Sequence, residues 1–206
     1  MKFHAFLSAV ASSTTAVGAS ISYMGQFDQD GTGFGSVLSV LALQANGSES
    51  GGVAWNGSAD VRSGDAKPFS QTRSIAEIVS AGANLSQLAV VLNIAQPGSH
   101  PDITLRQFSV VFYSAAGVEL FSADFSTPML LTQINSGVGG AGHLFAVNLS
   151  DDERSQLSDS VRIGIRVIDP IDGSQGAPES FYLVPSAGSL APLSMAASIL
   201  LRRRKL

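Results

Sequence analysis

The sequence predicts an all-β fold, a single β-sandwich or jelly-roll-like domain with two short helices, on three observations. Only 14% of the residues are charged while glycine is abundant at 21 residues, a mix that suits short strands and tight turns better than Lys- and Glu-rich surface helices. Apolar, β-compatible runs recur between Gly25 and Leu183, with turn signals at roughly eight- to twelve-residue spacing. Helix-start signals occur at two places, and no internal repeat is present. A chain of 206 residues has room for one ordinary domain with a real core and its terminal signals.

Taken in order, Val37 to Asn46 and Gly52 to Trp55 are strand-like runs. The turn-forming residues Asn46-Gly47-Ser48-Glu49-Ser50-Gly51 between them predict a hairpin. Ser74-Ile75-Ala76-Glu77 is a capping box that starts a helix of about two turns. Leu88 to Ile94 is the next strand, stopped by Gln96-Pro97-Gly98. Leu105 to Tyr113 alternates so that Phe108, Val110 and Phe112 share a face, and Ser114-Ala115-Ala116-Gly117 turns it into Val118 to Phe125. Met129 to Ile134 and His143 to Leu149 follow, then a second capping box at Ser150-Asp151-Asp152-Glu153. In Val161 to Ile168, apolar residues alternate with Arg162, Gly164 and Arg166, which predicts one wet and one buried face. Phe181 to Val184 is the last strand.

The two ends carry a different signature. Lys2, the apolar run from Phe3 to Ala11 and the small residues up to Ala19 form a short secretory signal, with cleavage expected after Ala19. The chain therefore divides into a signal peptide (1–19), a sandwich domain (20–183) and a tail (184–206). From Val184 to Leu201 the tail has no charge, and Arg202-Arg203-Arg204-Lys205 follow. As a helix that stretch would rise roughly 27 Å, just short of a typical hydrocarbon core of about 30 Å. The cations would hold the extreme C-terminus in the cytoplasm and leave the body outside, with transient membrane contact through the tail.

The order Val184-Pro185-Ser186-Ala187-Gly188-Ser189-Leu190, apolar stretch, Arg202-Arg203-Arg204 resembles the PEP-CTERM sorting signal, in the variant with Pro-x-Pro-Gly where the founding form has Pro-Glu-Pro. Ala187 stands where the variant carries its second Pro, and Pro192 interrupts the apolar run. The resemblance implies an exported bacterial protein associated with biofilm or exopolysaccharide and recognised by exosortase, a membrane protease. Its sorting residues are then Val184, Pro185, Gly188, Arg202, Arg203 and Arg204. The body also resembles a recurrent domain found ahead of such tails, through Phe34 to Leu38, Gly51 to Gly57, Val91 to Gly98, the Phe108 to Phe121 hairpin and Pro178 to Phe181. That domain carries no activity to transfer. The expected location is the cell envelope or beyond, with the precursor tail in the inner membrane.

Charge and composition exclude other classes. Lys2, Arg202, Arg203, Arg204 and Lys205 account for much of the 12 basic residues, while all 16 acidic residues lie between the two ends. The body is thus more acidic than the formal net charge of -4, which argues against nucleic-acid binding. The absence of Cys removes disulfides, thiolate metal sites and cysteine nucleophiles.

The candidate chemistry is thin, and the expected function is non-catalytic, with no cofactor and no metal. Gly137 to Gly142 has a GxGxxG spacing but leads into a strand-like run, so it reads as an inter-strand loop. Asp28 and Asp30 sit beside glycines as in calcium loops, yet the glycine falls fourth and Ser39 stands twelfth, unlike an EF-hand. His4, His100 and His143 lack ligand spacing, and no G-x-S-x-G motif exists. Asp151, Asp152 and Glu153 read as a helix cap rather than a hydrolytic pair, with Asp159, Asp169 and Asp172 further on. Trp55, the sole Trp, is either a core residue or a platform for stacking on a sugar ring. The alternatives to a surface or matrix protein are therefore a carbohydrate-binding module using Trp55 and an exported hydrolase.

Overall fold

The computed structural model describes residues 18–28, 38–82, 85–134 and 141–185. It is all-β, with thirteen strands and two short helices among the described residues. The strands are β1 (Ser20–Asp28), β2 (Leu38–Leu43), β3 (Asn46–Trp55), β4 (Asp60–Gly64), β5 (Arg73–Ser74), β6 (Leu88–Asn93) and β7 (Asp102–Leu105). They continue as β8 (Phe108–Tyr113), β9 (Glu119–Phe125), β10 (Met129–Thr132), β11 (Ala141–Asn148), β12 (Arg162–Gln175) and β13 (Glu179–Pro185). The helices are α1 (Ile75–Ser80) and α2 (Asp151–Ser155).

The strands form one hydrogen-bonded path, β10-β7-β12-β8-β9-β1-β11-β6-β13-β2, with β3 and β5 on β12 and β4 on β3. All pairings are antiparallel except the contact of Ser20 in β1 with Asp124 in β9. A flat sheet with strands about 4.8 Å apart would hold β8 and β13 more than ~20 Å from each other. Yet the Phe108 ring of β8 lies 5.4 Å from Phe181 of β13 and 5.2 Å from Phe145 of β11, centroid to centroid. The path therefore folds over on itself, with β8 and β9 facing β11, β6 and β13 in a sandwich-like arrangement. Phe108, Phe125, Phe145 and Phe181 fill the space between. A smaller cluster, Phe27, Ala89, Val91, Leu144 and Val184, is buried separately from this core.

Both helix starts form as the capping boxes predict. The Ser74 hydroxyl accepts from the Glu77 N–H while the Glu77 carboxylate accepts from the Ser74 N–H, and Ser150 and Glu153 repeat the arrangement. The hairpin of β8 and β9 also forms, closed by the Ser114 N–H to the Val118 carbonyl at 2.8 Å. Gly117 sits in this turn at φ +83° against the backbone of Asn56 and Gly57, where a Cβ would come within 2.2 Å of the Asn56 carbonyl carbon. Only glycine permits both the dihedral and the approach.

The first predicted hairpin does not form. Asn46 to Gly51 is strand rather than turn, β2 pairs with β13, and β3 pairs with β12 and β4. The break is confined to Gln44 and Ala45, where the chain leaves β2 for a strand far from it along the hydrogen-bonded path, on the other side of β12. The open edge of β2 is instead stitched to the segment after β4, through Lys67 N–H to the Ala42 carbonyl and Gln71 N–H to the Val40 carbonyl. This covers backbone groups that would otherwise template edge pairing.

Two further runs differ in length. Leu105 to Tyr113 is split at Arg106 and Gln107, because β7 pairs with β10 and the far half of β12 while β8 pairs with its near half. The strand predicted from Val161 to Ile168 continues to Gln175, with a register shift between Val167 and Ile171 that accommodates Pro170. Its polar face is only partly wet: Arg162 and Arg166 are half-buried and Gly164 is buried.

At the N-terminal boundary, Ala19 packs against the core and its N–H donates to Glu153 Oε1 at 2.8 Å. At the other boundary, β13 carries the sheet through Val184 and Pro185, which pair with Ala89 and Leu88, so the sheet extends into the stretch read as the start of the tail. Gly188 and Arg202 to Arg204 lie outside the described residues, as does most of the signal segment. Among the described residues no helix is long and apolar enough to cross a membrane.

Candidate functional site

Trp55 ends β3 where β5 takes over as the neighbour of β12. It is half-buried, and its indole N–H donates to the Ala115 carbonyl at 3.0 Å. The Arg162 guanidinium lies 4.4 Å from the ring centroid and is itself held by the Thr72 hydroxyl and carbonyl. Trp55 is thus neither a core residue nor a free platform, since a cation is stacked on it.

The histidines have separate roles. His143 on β11 is buried, its Nε2 lies 3.0 Å from the Thr132 carbonyl and its Nδ1 3.0 Å from the Tyr23 hydroxyl. A carbonyl can only accept, so Nε2 carries the proton and Nδ1 accepts from Tyr23. Burial lowers the His143 pKa below 6.5, against the opposing pull of the Thr132 carbonyl. His100 is exposed beside the Ser99 hydroxyl in the loop before β7, and His4 lies outside the described residues.

The acidic residues at α2 cap it. Burial works to raise the Glu153 pKa, but the hydrogen bonds from Ser150 and from the Ala19 N–H, with Arg154 nearby, outweigh it and hold the carboxyl below its ordinary value. Asp151 pairs with Arg154 at 3.0 Å and Asp172 with Arg106 at 2.7 Å. Asp159 contributes its carbonyl to the Ala76 N–H, and Asp169 is exposed beside the β12 bulge. Asp28 closes β1; Asp30 and Gly137 to Gly140 lie outside the described residues, and the segment after those glycines is strand β11.

Among the described residues, two shallow concavities are of note. One of about 170 Å³ is lined by Gly52, Val53, Ala54, Val61, Ser63, Tyr113 and Arg166, and the other by Gly18, Ser20, Asn148, Leu149 and Ser150. Burial raises the Tyr113 pKa, reinforced by Glu119 and opposed by Arg166. Neither concavity is lined by Asp or Glu.

The most unusual chemistry lies inside the protein, and sequence reasoning missed it. Glu49 on β3 and Glu179 on β13 are both fully buried. Ser174 of β12 stands between them, its Oγ 2.6 Å from Glu49 Oε1 and 3.5 Å from Glu179 Oε2. The Ala45 N–H donates to Glu49 Oε1 at 2.8 Å, and the Gln96 amide donates to Glu179 Oε1. Gln96 is aligned in turn by the Gln175 N–H, which donates to its Oε1 at 2.8 Å. Glu49 Oε2 is buried with no donor. Burial, then the hydrogen bond and charge of Glu49, push the Glu179 pKa up to about 9, against the bonds from Gln96 and its own backbone. No Lys, Arg or His ion-pairs with either carboxyl among the described residues.

In the sequence, Glu49 stands inside an apparent turn and Glu179 far along the chain. The available signal was the alternation Glu49, Gly51, Val53, which places a carboxylate on the buried face once β3 is recognised as a strand. No family model, curated protein or solved structure matches this chain.

Proposed function

We propose that the chain is an exported, non-catalytic surface or matrix protein, delivered by its C-terminal tail to the cell envelope and associated with exopolysaccharide. Its body is a jelly-roll-like sandwich, and its processing partner is an exosortase-like membrane protease. The observation that carries the reading is the order of features at the C-terminus: the last described strand ends at Pro185, just inside the uncharged stretch, whose remainder and Arg202-Arg203-Arg204-Lys205 follow in the sequence. A sorting tail must follow the folded body in this way if membrane engagement and removal are to leave the domain intact. The test compares fractionation of the full chain with that of a chain lacking residues 186–206. Loss of envelope retention is expected on truncation, and unchanged fractionation would reject the role of the tail.

A carbohydrate-binding reading has one observation in its favour, the partly exposed Trp55 at the end of β3, although Arg162 is stacked on its ring. Binding on a glycan array that is lost in Trp55→Ala would support it, whereas undiminished binding would remove Trp55 as the platform. The hydrolase reading finds no support in the two concavities, which present no carboxylate.

A further inference from the structure

We infer that Glu49, Glu179, Ser174 and the Ala45 carbonyl form a buried binding site for one calcium ion that ties β3, β12 and β13 together. The first argument is a shortage of hydrogens. Ser174 Oγ has three oxygen neighbours, Glu49 Oε1 at 2.6 Å, the Ala45 carbonyl at 2.9 Å and Glu179 Oε2 at 3.5 Å, but it carries a single hydrogen. Glu49 Oε2, on a side chain with 0% exposure, has no donor at all. Oxygens crowded at such spacings need either a shared proton or a bound cation between them.

The second argument is charge. No Lys, Arg or His ion-pairs with either carboxyl among the described residues, so without a metal one carboxyl stays protonated and the other is a buried charge with no cationic partner. A single shared proton would still leave one net negative charge there, whereas a divalent ion neutralises both.

The donor chemistry selects the ion. The candidate donors are both oxygens of each carboxylate, one hydroxyl and one carbonyl, with no imidazole and no thiolate, which suits a hard cation. Calcium takes about six to eight oxygens in flexible geometry, while magnesium holds on to several waters and demands a near-octahedral shell. A fully buried site favours calcium. No group of three or more His, Asp or Glu converges among the described residues, and the neutral oxygens complete the set here instead. The donors come from the β2–β3 junction, from β3, and from β12 and β13, two strands that do not pair with each other, so an ion there would clamp segments far apart in sequence.

The test uses the full chain, stripped with EGTA and then supplied with CaCl2 or MgCl2 at millimolar concentration. Calcium is expected to raise Tm by about 5–10 °C, with about one ion retained per chain by mass spectrometry. Glu179→Gln should abolish the calcium-dependent rise. Ser174→Ala, which removes one neutral oxygen and little volume, should weaken calcium binding by tenfold or more in a chain that still folds. Identical melting with and without calcium and no retained ion would overturn the inference, leaving a shared proton as the counter-charge. An equal rise with magnesium would overturn the assignment to calcium.

Discussion

Phe108 should act as the keystone between the two faces of the folded-over sheet. It is fully buried, and its ring lies 5.7 Å from Phe125, 5.2 Å from Phe145 and 5.4 Å from Phe181, centroid to centroid. Replacing a buried Phe with Ala costs about 3–5 kcal/mol, set by how far the surroundings can collapse into the hole. Here they are hydrogen-bonded strands on both sides, which cannot close without breaking ladders, so Phe108→Ala should cost about 4–5 kcal/mol. Aromatic pairs contribute a further ~0.5–1.5 kcal/mol beyond area burial, so a double-mutant cycle of Phe108→Ala with Phe181→Ala should show a coupling of about 1 kcal/mol. That coupling matters most, because β8 and β13 are distant along the hydrogen-bonded path and meet only if the path folds over. Urea unfolding of the full chain, followed through the fluorescence of its single Trp55, gives each free energy. A loss under ~1.5 kcal/mol for Phe108→Ala, or independent effects of the two substitutions, would refute the packing described here. Phe69→Ala, at a side chain 58% exposed, serves as the control and should be nearly neutral.

Three other outcomes are expected. Ser74→Ala removes the cap of α1 and leaves the Glu77 N–H without its acceptor, costing about 1 kcal/mol in the same urea experiment. Gly117→Ala forces a Cβ into the Asn56 backbone at positive φ and should destabilise by roughly 2 kcal/mol or more, whereas Gly98→Ala, with nothing within 4 Å, should be tolerated. His143 is held neutral by burial, with a folded pKa below its ordinary 6.5, so the unfolded chain binds more protons as the solution is acidified. Stability should therefore fall as pH drops below about 6.5, and His143→Gln should flatten that fall in midpoints measured between pH 7.5 and pH 5.

The errors in the first hairpin and the successes elsewhere have one explanation. Ser74 and Ser150 declare their helices because a capping box is completed within four consecutive residues. The turn from Ser114 to Gly117 is equally local. Asn46 to Gly51 carries the same turn-forming residue types, but its conformation is set by β12 and β4 on either side, whose pairing outweighs the local preference. Strand order, the covered edge of β2 and the bulge at Pro170 are likewise long-range outcomes.

The same division runs through the candidate sites. Residue identity alone determined the all-β class, the acidic body, the lack of thiol chemistry and the sequence of apolar stretch and cations at the C-terminus. Tertiary structure alone decided that Trp55 lies under Arg162, and that Glu49 and Glu179 meet around Ser174 in the interior. Caps, turns and apolar alternation are written within a few residues because their hydrogen bonds and periods close locally. A carboxylate pair whose members are 130 positions apart exists only once the layers have folded together, and the free energy of burying it depends on every strand that excludes water from it.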